Sequence, residues 1–366
     1  MSLSVGIVGL PNVGKSTLFN ALSSKQAEAA NYAFCTIEPN HGIVPVPDPR
    51  FPKLIAIAEP DREVPATVEF VDIAGLVRDA SKGEGKGNAF LTNIRDTDAI
   101  AHVVRCFEDD NVLHVDNRVS TSSDVETIET ELVLKDLETV DKRLDKARRA
   151  SKSNDAAEKK VVTALEKLRE VLDKGELART CTFDNEEDAK IVKELMLLTS
   201  KPIFYVCNVR EDQLDKADDP LVAEVAAIAK RRNVPYVVIC AKIEAEIMQL
   251  PPSERADFLE SVGLTEPGLD KVIRTGYAML DLITYFTVGK QEVRAWTIKR
   301  GTKAPGAAGV IHTDFERGFI KAEVIKYADM IALGGEQAVK AAGKMRMEGK
   351  EYVVEDGDIM HFRFNV

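Results

Sequence analysis

Close to its N-terminus the chain reads Gly9-Leu10-Pro11-Asn12-Val13-Gly14-Lys15-Ser16. The pattern is a glycine, four intervening residues, and then Gly-Lys-Ser, which is typical of a phosphate-binding loop. Residues 3–8 before it are mostly apolar and predict a buried strand, and residues 16–22 after it predict a helix. Backbone N–H groups of such a loop and helix N-terminus converge on one place that favours anions. We therefore expect Lys15 to reach the outer phosphates of a nucleotide and the Ser16 hydroxyl to ligate Mg²⁺.

The composition is that of a large globular protein. The 366 residues can form two or three domains, and 45% of them are hydrophobic. A net charge of −11 argues against a chain that coats nucleic acid by its overall charge, although a local basic patch remains compatible with it. No apolar run approaches the ~20 residues that a membrane-spanning helix needs. The five cysteines are scattered, so we expect a cytoplasmic protein without structural disulfides.

Two segments after the loop contain candidates for binding the terminal phosphate. Thr36 lies in a short mixed segment that ends in proline, where it is placed to close over the γ-phosphate and Mg²⁺. Asp72 follows a predicted strand at residues 67–71 and can hold Mg²⁺ through water. Gly75 lets its own N–H approach the γ-phosphate, because glycine has no side chain to obstruct it.

The residue after Gly75 is Leu76, where Ras-like enzymes have a glutamine that orients the attacking water. Leucine cannot hydrogen-bond water, so hydrolysis needs a substitute. His114 is the first candidate, since it lies in a polar segment that follows a predicted strand at residues 99–107. The second hypothesis is a monovalent cation such as K⁺, held near the phosphates by Asn12. Either device would replace the missing glutamine.

From residue 120 the apolar residues step by three and four, which predicts an antiparallel helical hairpin of coiled-coil type. Its tip is basic. Residues 142–160 contain eight lysines and arginines against three acidic residues, a net charge of +5 in an acidic chain. A solvated helix face would explain the charge run equally well in general. Because the patch opposes the overall charge and lies on a protruding arm, we expect it to contact RNA or a ribosome.

The chain then returns to the sheet at a predicted strand over residues 202–207, which ends in Asn208-Val209-Arg210-Glu211. Guanine-binding proteins of this class have Asn-Lys-x-Asp there, and the aspartate accepts hydrogen bonds from the guanine N1–H and 2-amino groups. Glu211 is one methylene longer and Val209 replaces the lysine, so discrimination for guanine should be weakened. Adenine preference does not follow from this alone. Residues 235–240 predict the last strand, and Ala241 and Lys242 follow it as a second base-side element.

Beyond two predicted helices at residues 256–262 and 269–284, a smaller domain begins near residue 285. Predicted strands at residues 293–298, 319–325 and 357–364 are separated by a glycine- and alanine-rich segment at residues 301–310. Two basic groups fall in this domain, one at Lys299, Arg300 and Lys303 and the other at Lys340, Lys344, Arg346 and Lys350. They fit a nucleic-acid contact or an ordinary solvated surface on a compact β-grasp module.

Taken together, these motifs resemble those of the YchF, or Obg-like, ATPases over essentially the whole chain. Besides the loop at residues 9–16, the similar segments are residues 34–40 and 72–77 as the two switches, 208–211 as the altered base motif, and 294–298 and 357–364 as parts of a C-terminal TGS domain. The helical arm and the order of the domains fit as well. The combination is specific, whereas any single motif is not.

The resemblance implies a ribosome- and RNA-associated ATPase that prefers ATP over GTP, with Mg²⁺ on Ser16 and Thr36 and with His114 positioning water. It also implies triphosphate contacts. The expected ATP-binding residues are Asn12, Val13, Gly14, Lys15, Ser16, Thr17, Thr36, Gly75, Asn208, Val209, Glu211, Ala241 and Lys242. Lys15 and His114 are the expected catalytic residues. The metal ligands would be Ser16, Thr36 and, through water, Asp72.

The expected fold is α/β. A doubly wound, mostly parallel P-loop NTPase domain at residues 1–120 and 200–282 is interrupted by a helical coiled-coil insertion at 121–199. A β-grasp (TGS) domain at 283–366 follows. The expected partner is the large ribosomal subunit or RNA, bound through the arm and the TGS domain, without DNA specificity and without a membrane. Two alternatives stay open: a GTP-driven ribosome-associated switch, and a ribosome-binding scaffold gated by nucleotide binding without significant turnover.

Overall fold

A computed structural model describes residues 3–28, 40–73, 93–109, 119–151, 156–214, 216 and 219–365. The sequence candidates Thr36, Gly75, Leu76 and His114 lie outside these ranges. The chain divides into two units. The first contains Met1–Leu22, Glu38–Gly42 and Phe70–Val272, and the second contains Ser23–Ile37, Ile43–Glu69 and Ile273–Val366.

The first sheet is built from β1 (Ser4–Val8), β2 (His41–Pro45), β4 (Thr67–Asp72), β5 (Ala99–Arg105), β6 (Ile203–Asn208) and β7 (Tyr236–Ile239). Their order across the sheet is β2-β4-β1-β5-β6-β7. β5 pairs in parallel with β1 and with β6, and β6 pairs in parallel with β7. Every residue of β1, β5 and β6 is buried, as expected for strands that are covered on both faces. The predicted α/β fold with a mostly parallel sheet is confirmed.

The carboxyl ends of parallel strands meet at one edge of a sheet, which is where ligands bind in open α/β folds. β1, β5, β6 and β7 bring four segments to that edge: residues 9–14, 106–109, 209–211 and 240–242. The phosphate-loop helix, Lys15–Glu28, begins directly after the first of these segments. The helices Pro220–Arg232, Ala241–Gln249, Arg255–Ser261 and Gly268–Met279 follow later in the chain. The helix Glu186–Lys193 packs instead against the helix Ala156–Asp173.

The predicted helical hairpin is present as a first arm helix, Thr121–Ser151, and a second arm helix, Ala156–Asp173. The apolar positions that predicted it form one hydrophobic cluster between the two helices. Its buried members include Val133, Val140, Leu144, Ala147, Val161, Leu165, Leu168 and Leu172. Spacings of three and four residues place such side chains on one face of each helix, so the pairing follows from the sequence pattern.

The buried carboxylate of Asp136 fixes the first arm helix to the chain segment that leaves the arm. It accepts hydrogen bonds from the backbone N–H groups of Leu198 and Thr199, both at 2.8 Å, and from the Thr199 hydroxyl at 2.6 Å. Leu198–Ser200 is a short 3-10 helix, so Asp136 satisfies N–H groups that would otherwise have no partner at its start. Burial raises the pKa of this carboxyl, and the three hydrogen bonds oppose that shift.

The second unit has its own six-stranded sheet, built from β3 (Arg62–Val64), β8 (Leu282–Val288), β9 (Glu292–Lys299), β10 (Phe319–Lys326), β11 (Arg346–Glu348) and β12 (Asp358–Phe364). The order is β11-β10-β12-β8-β9-β3. β8 and β9 form an antiparallel hairpin, and β12 joins β8 in parallel. The helix Ala304–Ile311 follows β9. Short helices complete the unit at Arg50–Ala58, Thr313–Arg317, Tyr327–Leu333 and Glu336–Ala341.

One local prediction near the start of this unit was wrong. The helix predicted over residues 269–284 ends at Met279, and β8 begins at Leu282. Six of the seven β8 residues are buried on both faces, so its apolar run could not be distinguished from a buried helix by periodicity. The glycine- and alanine-rich segment forms the helix Ala304–Ile311, since proline is accepted in the first helical turn.

Residues 43–69 belong to the second unit, whereas the predicted division assigned them to the nucleotide domain. β3 pairs in parallel with β9, and the helix Arg50–Ala58 contributes Phe51 and Leu54 to a cluster that also contains Phe286. Arg50 pairs with Asp48 at 2.7 Å and with Asp356 at 3.0 Å. The ion pair between Arg50 and Asp356 joins residues 306 positions apart, which a local sequence pattern does not reveal.

No helix in the described part of the chain combines the length and the hydropathy that a bilayer span requires. The described cysteines, Cys106, Cys181, Cys207 and Cys240, are free thiols.

We expect Asp136→Ala to lower the free energy of unfolding by about 2–4 kcal/mol, because it leaves two buried N–H groups and one hydroxyl without their acceptor. Urea denaturation followed by circular dichroism measures the change. The matched control is Asp141→Ala on the same helix, where the carboxylate pairs with the half-exposed Arg169 and the cost should stay below about 0.5 kcal/mol. Equal losses for the two variants would contradict the anchoring role of Asp136.

Candidate functional site

The phosphate loop turns sharply between β1 and the phosphate-loop helix, and its glycines permit the turn. Gly14 has a φ of +98°, and a Cβ there would lie 2.2 Å from the side-chain nitrogen of Asn208. At Gly9 a Cβ would lie 2.5 Å from the Val103 carbonyl oxygen. Leu10 and Val13 point into the core and fix the loop from beneath. The loop therefore requires glycine at both positions for steric reasons that the sequence pattern only implied.

Lys15 is buried, and its ammonium group donates a hydrogen bond to the Leu10 carbonyl at 2.6 Å. Burial lowers the pKa of this ammonium to about 8, and the nearby Asp72 carboxylate opposes the shift. Burial in turn raises the pKa of Asp72, and Lys15 opposes that change. The loop thus holds a desolvated cation above its own backbone, which is an environment that strengthens attraction to a polyanion.

Oxygen donors suited to Mg²⁺ lie beside this lysine. Ser16 and Thr17 are exposed on the first turn of the phosphate-loop helix, and Asp72 is the last residue of β4. Mg²⁺ prefers hydroxyl, carboxylate and water oxygens, and it usually takes only one or two protein ligands beside phosphates. The described ranges contain no group of three or more His, Cys, Asp or Glu side chains arranged for a metal. Ser16 and Asp72 therefore fit a metal that a phosphate ligand completes.

Asn208 connects the phosphate loop to the base side of the site. Its side-chain nitrogen donates to the Val13 carbonyl at 2.9 Å, and its side-chain oxygen accepts from the Ala241 backbone N–H, also at 2.9 Å. The side chain is 5% exposed. We call this arrangement the Asn208 clamp. It joins three segments that are far apart in sequence, so the two predicted base elements and the predicted phosphate loop do meet in one place.

The altered base motif has its two unusual residues in different environments. Val209 is buried, and its N–H donates to the Ile239 carbonyl at 2.8 Å. Glu211 is exposed at the start of the short 3-10 helix Glu211–Gln213. Lys242 is also exposed, 3.9 Å from Glu246. Glu211 therefore presents a carboxylate and Lys242 an ammonium group at the surface, whereas Val209 is a buried apolar residue.

A cavity of about 810 Å³ opens at this place, which is large enough for a nucleoside triphosphate. Its lining contains Asn12, Gly14, Lys15, Ser16, Thr17, Asn208, Val209, Glu211, Ala241 and Lys242, all of them predicted ATP-binding residues. Five residues that were not predicted from the sequence also line it: Phe107, Asp109, Arg210, Asp212 and Cys240. Their position at the carboxyl ends of β5, β6 and β7 was the signal that could have found them.

Two family models match the chain. One, described as "50S ribosome-binding GTPase", matches residues 4–167. The other is named for the C-terminal region of YchF GTPases, carries the description "Protein of unknown function (DUF933)", and matches residues 282–365.

Full-length relatives are similar as well. The chain is 54% identical over 367 residues to the "Ribosome-binding ATPase YchF" of Bacillus subtilis, and 52% identical over 366 residues to that of Escherichia coli O157:H7, with 100% of each chain covered in both cases. It matches the solved structure of the Schizosaccharomyces pombe YchF GTPase with a TM-score of 0.90 and 38% identity. That match covers 99% of this chain and 98% of the yeast protein.

We expect affinity for tripolyphosphate to fall roughly tenfold between pH 7 and pH 9. A lysine whose pKa is lowered to about 8 loses its proton as the pH rises through that value, so only about a tenth of the Lys15 side chains stay charged at pH 9. Isothermal titration calorimetry measures the dissociation constants. The control is Lys15→Arg, whose guanidinium stays protonated, so that its pH profile reports only the titration of the ligand. A profile of the unchanged chain that runs parallel to that of the control would contradict the lowered pKa.

Proposed function

The chain belongs to the YchF family, and on that premise we propose that it is a ribosome-associated ATPase that hydrolyses ATP to ADP and phosphate as a conformational switch. The observation that carries the proposal is the Asn208 clamp. It unites a phosphate loop, which a nucleotide hydrolase needs, with a base motif in which Val209 and Glu211 replace the lysine and aspartate of guanine-binding proteins.

The preference for ATP over GTP is supported by the chemistry of this base motif. Guanine requires an acceptor for its N1–H and 2-amino groups, and the longer Glu211 side chain cannot occupy the position of an aspartate unchanged. Val209 has no long stem to pack along a base, and its side chain is 2% exposed. The aromatic ring of Phe107 lines the same cavity and can pack against a purine instead. Adenine, which has neither an N1–H nor a 2-amino group to be accepted, is therefore the better fit.

Hydrolysis relies on charge stabilisation and on the orientation of one water molecule. The loop N–H groups from Asn12 to Thr17 and the Lys15 ammonium hold the phosphates and stabilise the charge that develops on the γ-phosphate. Mg²⁺, bound by Ser16 and Thr36 and through water by Asp72, would supply further neutralisation of that charge. We assign water orientation to His114, in place of the glutamine that Leu76 replaces.

Two further assignments complete the active site. Thr36 and the Gly75 N–H respond to the presence of the γ-phosphate, which gives the switch its two states. Asn12 is exposed, lines the cavity and has a φ of +62°, so it presents its side chain beside the phosphates. It is our candidate ligand for K⁺. The cation would stabilise part of the negative charge that an arginine finger stabilises in other nucleotide hydrolases.

Binding to the ribosome is assigned to one face of the arm. Of the basic residues at its tip, Arg143, Arg148 and Lys160 pair with glutamates, at 3.0, 2.8 and 2.7 Å. Lys142, Lys146 and Arg149 are exposed, and within the described residues they have no ion pair. We call these three residues the free stripe.

The free stripe fits a phosphate backbone. Its residues are spaced by four and three positions on the first arm helix, so they share one face. At a rise of about 1.5 Å per residue they span about 10 Å, which is long enough to contact more than one phosphate of the same strand. Salt-dependent contacts with phosphates supply most of the sequence-independent affinity of nucleic-acid-binding proteins. We therefore propose ribosomal RNA, in the large subunit, as the partner of this face.

The C-terminal domain is the weaker candidate for the same contact. Most of its basic side chains form an ion pair with an acidic side chain. These are Arg300, Lys303, Lys340, Lys344 and Arg346. We keep its assignment as a TGS domain, and with it the three-part division of the chain, as a proposal. Association with ribosomes would place the protein in the cytoplasm.

Two alternatives remain distinguishable from the ATPase. A GTP-driven switch is favoured by the word GTPase in the name of the yeast relative and in the description of one matching family. A ribosome-binding scaffold gated by nucleotide would bind ATP without releasing phosphate. A phosphate-release assay with ATP and with GTP, with and without ribosomes, separates the three functions.

We expect the unchanged chain to bind ATP more tightly than GTP, and the double variant Val209→Lys with Glu211→Asp to shift the ratio of the two affinities toward GTP by about tenfold, because it restores the acceptor and the stem that guanine requires. Competition titration with both nucleotides measures the ratio. Tripolyphosphate serves as the control ligand, and its affinity should not change, since it lacks a base. A chain that binds GTP more tightly than ATP would overturn the proposed preference.

Replacing the free stripe by Lys142→Gln, Lys146→Gln and Arg149→Gln should weaken binding to ribosomes and to a short RNA duplex. For the duplex, the slope of log affinity against log salt concentration should become shallower by about 2–3, since each lost phosphate contact contributes about 0.9.

The matched control removes the same charge from the paired residues by Arg143→Gln, Arg148→Gln and Lys160→Gln. Its salt slope should change by less than half as much, because those cations are already engaged by glutamates. If the two triple variants lose the same slope, the contact is not specific to this face, and if neither loses any, it lies outside the arm.

A further inference from the structure

The backbone immediately after β5 is held by an unusual set of side chains. Four consecutive carbonyl groups, those of residues 106–109, each accept a hydrogen bond from a side chain. The bonds are Gln213 Nε2 to the Cys106 carbonyl at 3.1 Å, Arg105 Nε to Phe107 at 3.0 Å, Arg210 Nη1 to Glu108 at 2.9 Å, and Arg105 Nη2 to Asp109 at 3.2 Å. We call the donors Arg105, Arg210 and Gln213 the brace.

The members of the brace are themselves fixed. Arg105 is 1% exposed and Gln213 is 8% exposed. Gln213 also donates to the Asp219 carboxylate at 2.7 Å, and its side-chain oxygen accepts from the Arg210 N–H at 2.9 Å. Arg210 is exposed, and its guanidinium pairs with Asp212 at 2.9 Å. The brace is therefore a connected network rather than three independent bonds.

Burying an arginine is costly unless its charge and its donors are engaged. Arg105 directs two donors at backbone carbonyls, and its guanidinium lies over the ring of Phe107 at 4.7 Å from the centroid. Water would satisfy those carbonyls at much lower cost if the segment needed only solvation. What Arg105 provides beyond solvation is a fixed position for the backbone and for one aromatic ring.

That ring lines the cavity beside Val209 and Glu211. We propose that Arg105, Arg210 and Gln213 are positioning residues that hold Phe107 as a preformed wall for the purine base. The inference rests on the proposed nucleotide-binding function and names the residues that set its affinity for the base. A wall that is already ordered removes the entropic cost of ordering it when the ligand binds.

Arg210 gives the brace a second consequence. It is the third residue of the base motif, and its bond to the Glu108 carbonyl joins that motif to the end of β5. The two sides of the base site, the ring of Phe107 and the motif at residues 208–211, are therefore held at a fixed separation. A fixed separation favours a flat aromatic ring over a bulkier group in the base site. Binding of the phosphate groups of a ligand does not depend on this separation.

The test compares a ligand that has a base with one that does not. Dissociation constants for ATP and for tripolyphosphate are measured by calorimetry on the unchanged chain and on Gln213→Leu, Arg210→Met and Phe107→Ala. Gln213 does not line the cavity, so its replacement removes no direct contact with the ligand. We expect three- to tenfold weaker ATP binding for Gln213→Leu and Arg210→Met, the loss of one or two hydrogen bonds, with unchanged tripolyphosphate binding.

Double variants distinguish positioning from direct contact, because Arg210 itself lines the cavity. Once Phe107 is replaced by alanine, adding Gln213→Leu or Arg210→Met should weaken ATP binding no further, since there is no ring left to position. Arg210→Lys keeps one donor and should restore part of the affinity. Arg317→Met, an exposed arginine in the second unit, is the surface control and should change neither constant.

Equal weakening of ATP and tripolyphosphate binding would overturn the inference, because it would indicate general loosening of the fold. Additive losses in both double variants would overturn it as well, because they would assign Arg210 and Gln213 effects that do not pass through Phe107. Failure of the unchanged chain to bind ATP at all would overturn the proposed function and this inference with it. Normal ATP binding by Gln213→Leu and Arg210→Met would overturn the inference alone.

Discussion

One buried amide, that of Asn208, determines whether the site exists. Its two hydrogen bonds join the phosphate loop at Val13 to the start of the last helix of the base side at Ala241. The same side chain fills the space that a Cβ on Gly14 would need. Both bonds are made by a side chain that is almost fully desolvated, so neither can be replaced by water without a large cost. That one side chain brings the phosphate loop and the base motif, which are about 200 residues apart in the sequence, together at the cavity.

Desolvated cations give the site its selectivity for anions in a chain of net charge −11. Lys15 is held above the loop by a carbonyl, with its pKa lowered by burial, whereas the buried Arg105 does not line the cavity and is engaged by two carbonyls and an aromatic ring. Charge interactions are strong where water is excluded, so few cations are needed. The free stripe on the arm works differently, because its exposed cations attract phosphates through solvent and are sensitive to salt.

The sequence predicted the features that are encoded by residues close together in the chain. The loop from Gly9 to Ser16 was predictable because glycine requirements and a helix start are encoded within a few residues, and the arm was predictable from its apolar spacing. The helix Arg50–Ala58 and its place in the second unit were not, since they depend on partners such as Phe286 and Asp356. Phe107 was missed for the same reason: nothing next to it distinguishes a cavity wall from a core residue. Counting charges likewise overestimated the number of unpaired cations at the tip of the arm. Pairing of Arg143 and Arg148 with glutamates arises only in the folded hairpin.

β6 carries Asn208 of the clamp and also contacts the first arm helix. Tyr205 of β6 donates to Glu129 on the first arm helix at 2.8 Å, and Glu129 also pairs with Arg232. Asn208 lies three residues further along the same strand. A buried hydrogen bond between a strand and a helix transmits displacement better than a solvated one, because breaking it leaves polar groups unsatisfied. Glu129 therefore ties the first arm helix to the strand that carries Asn208, and separating the two would leave the Tyr205 hydroxyl and a buried carboxylate without partners.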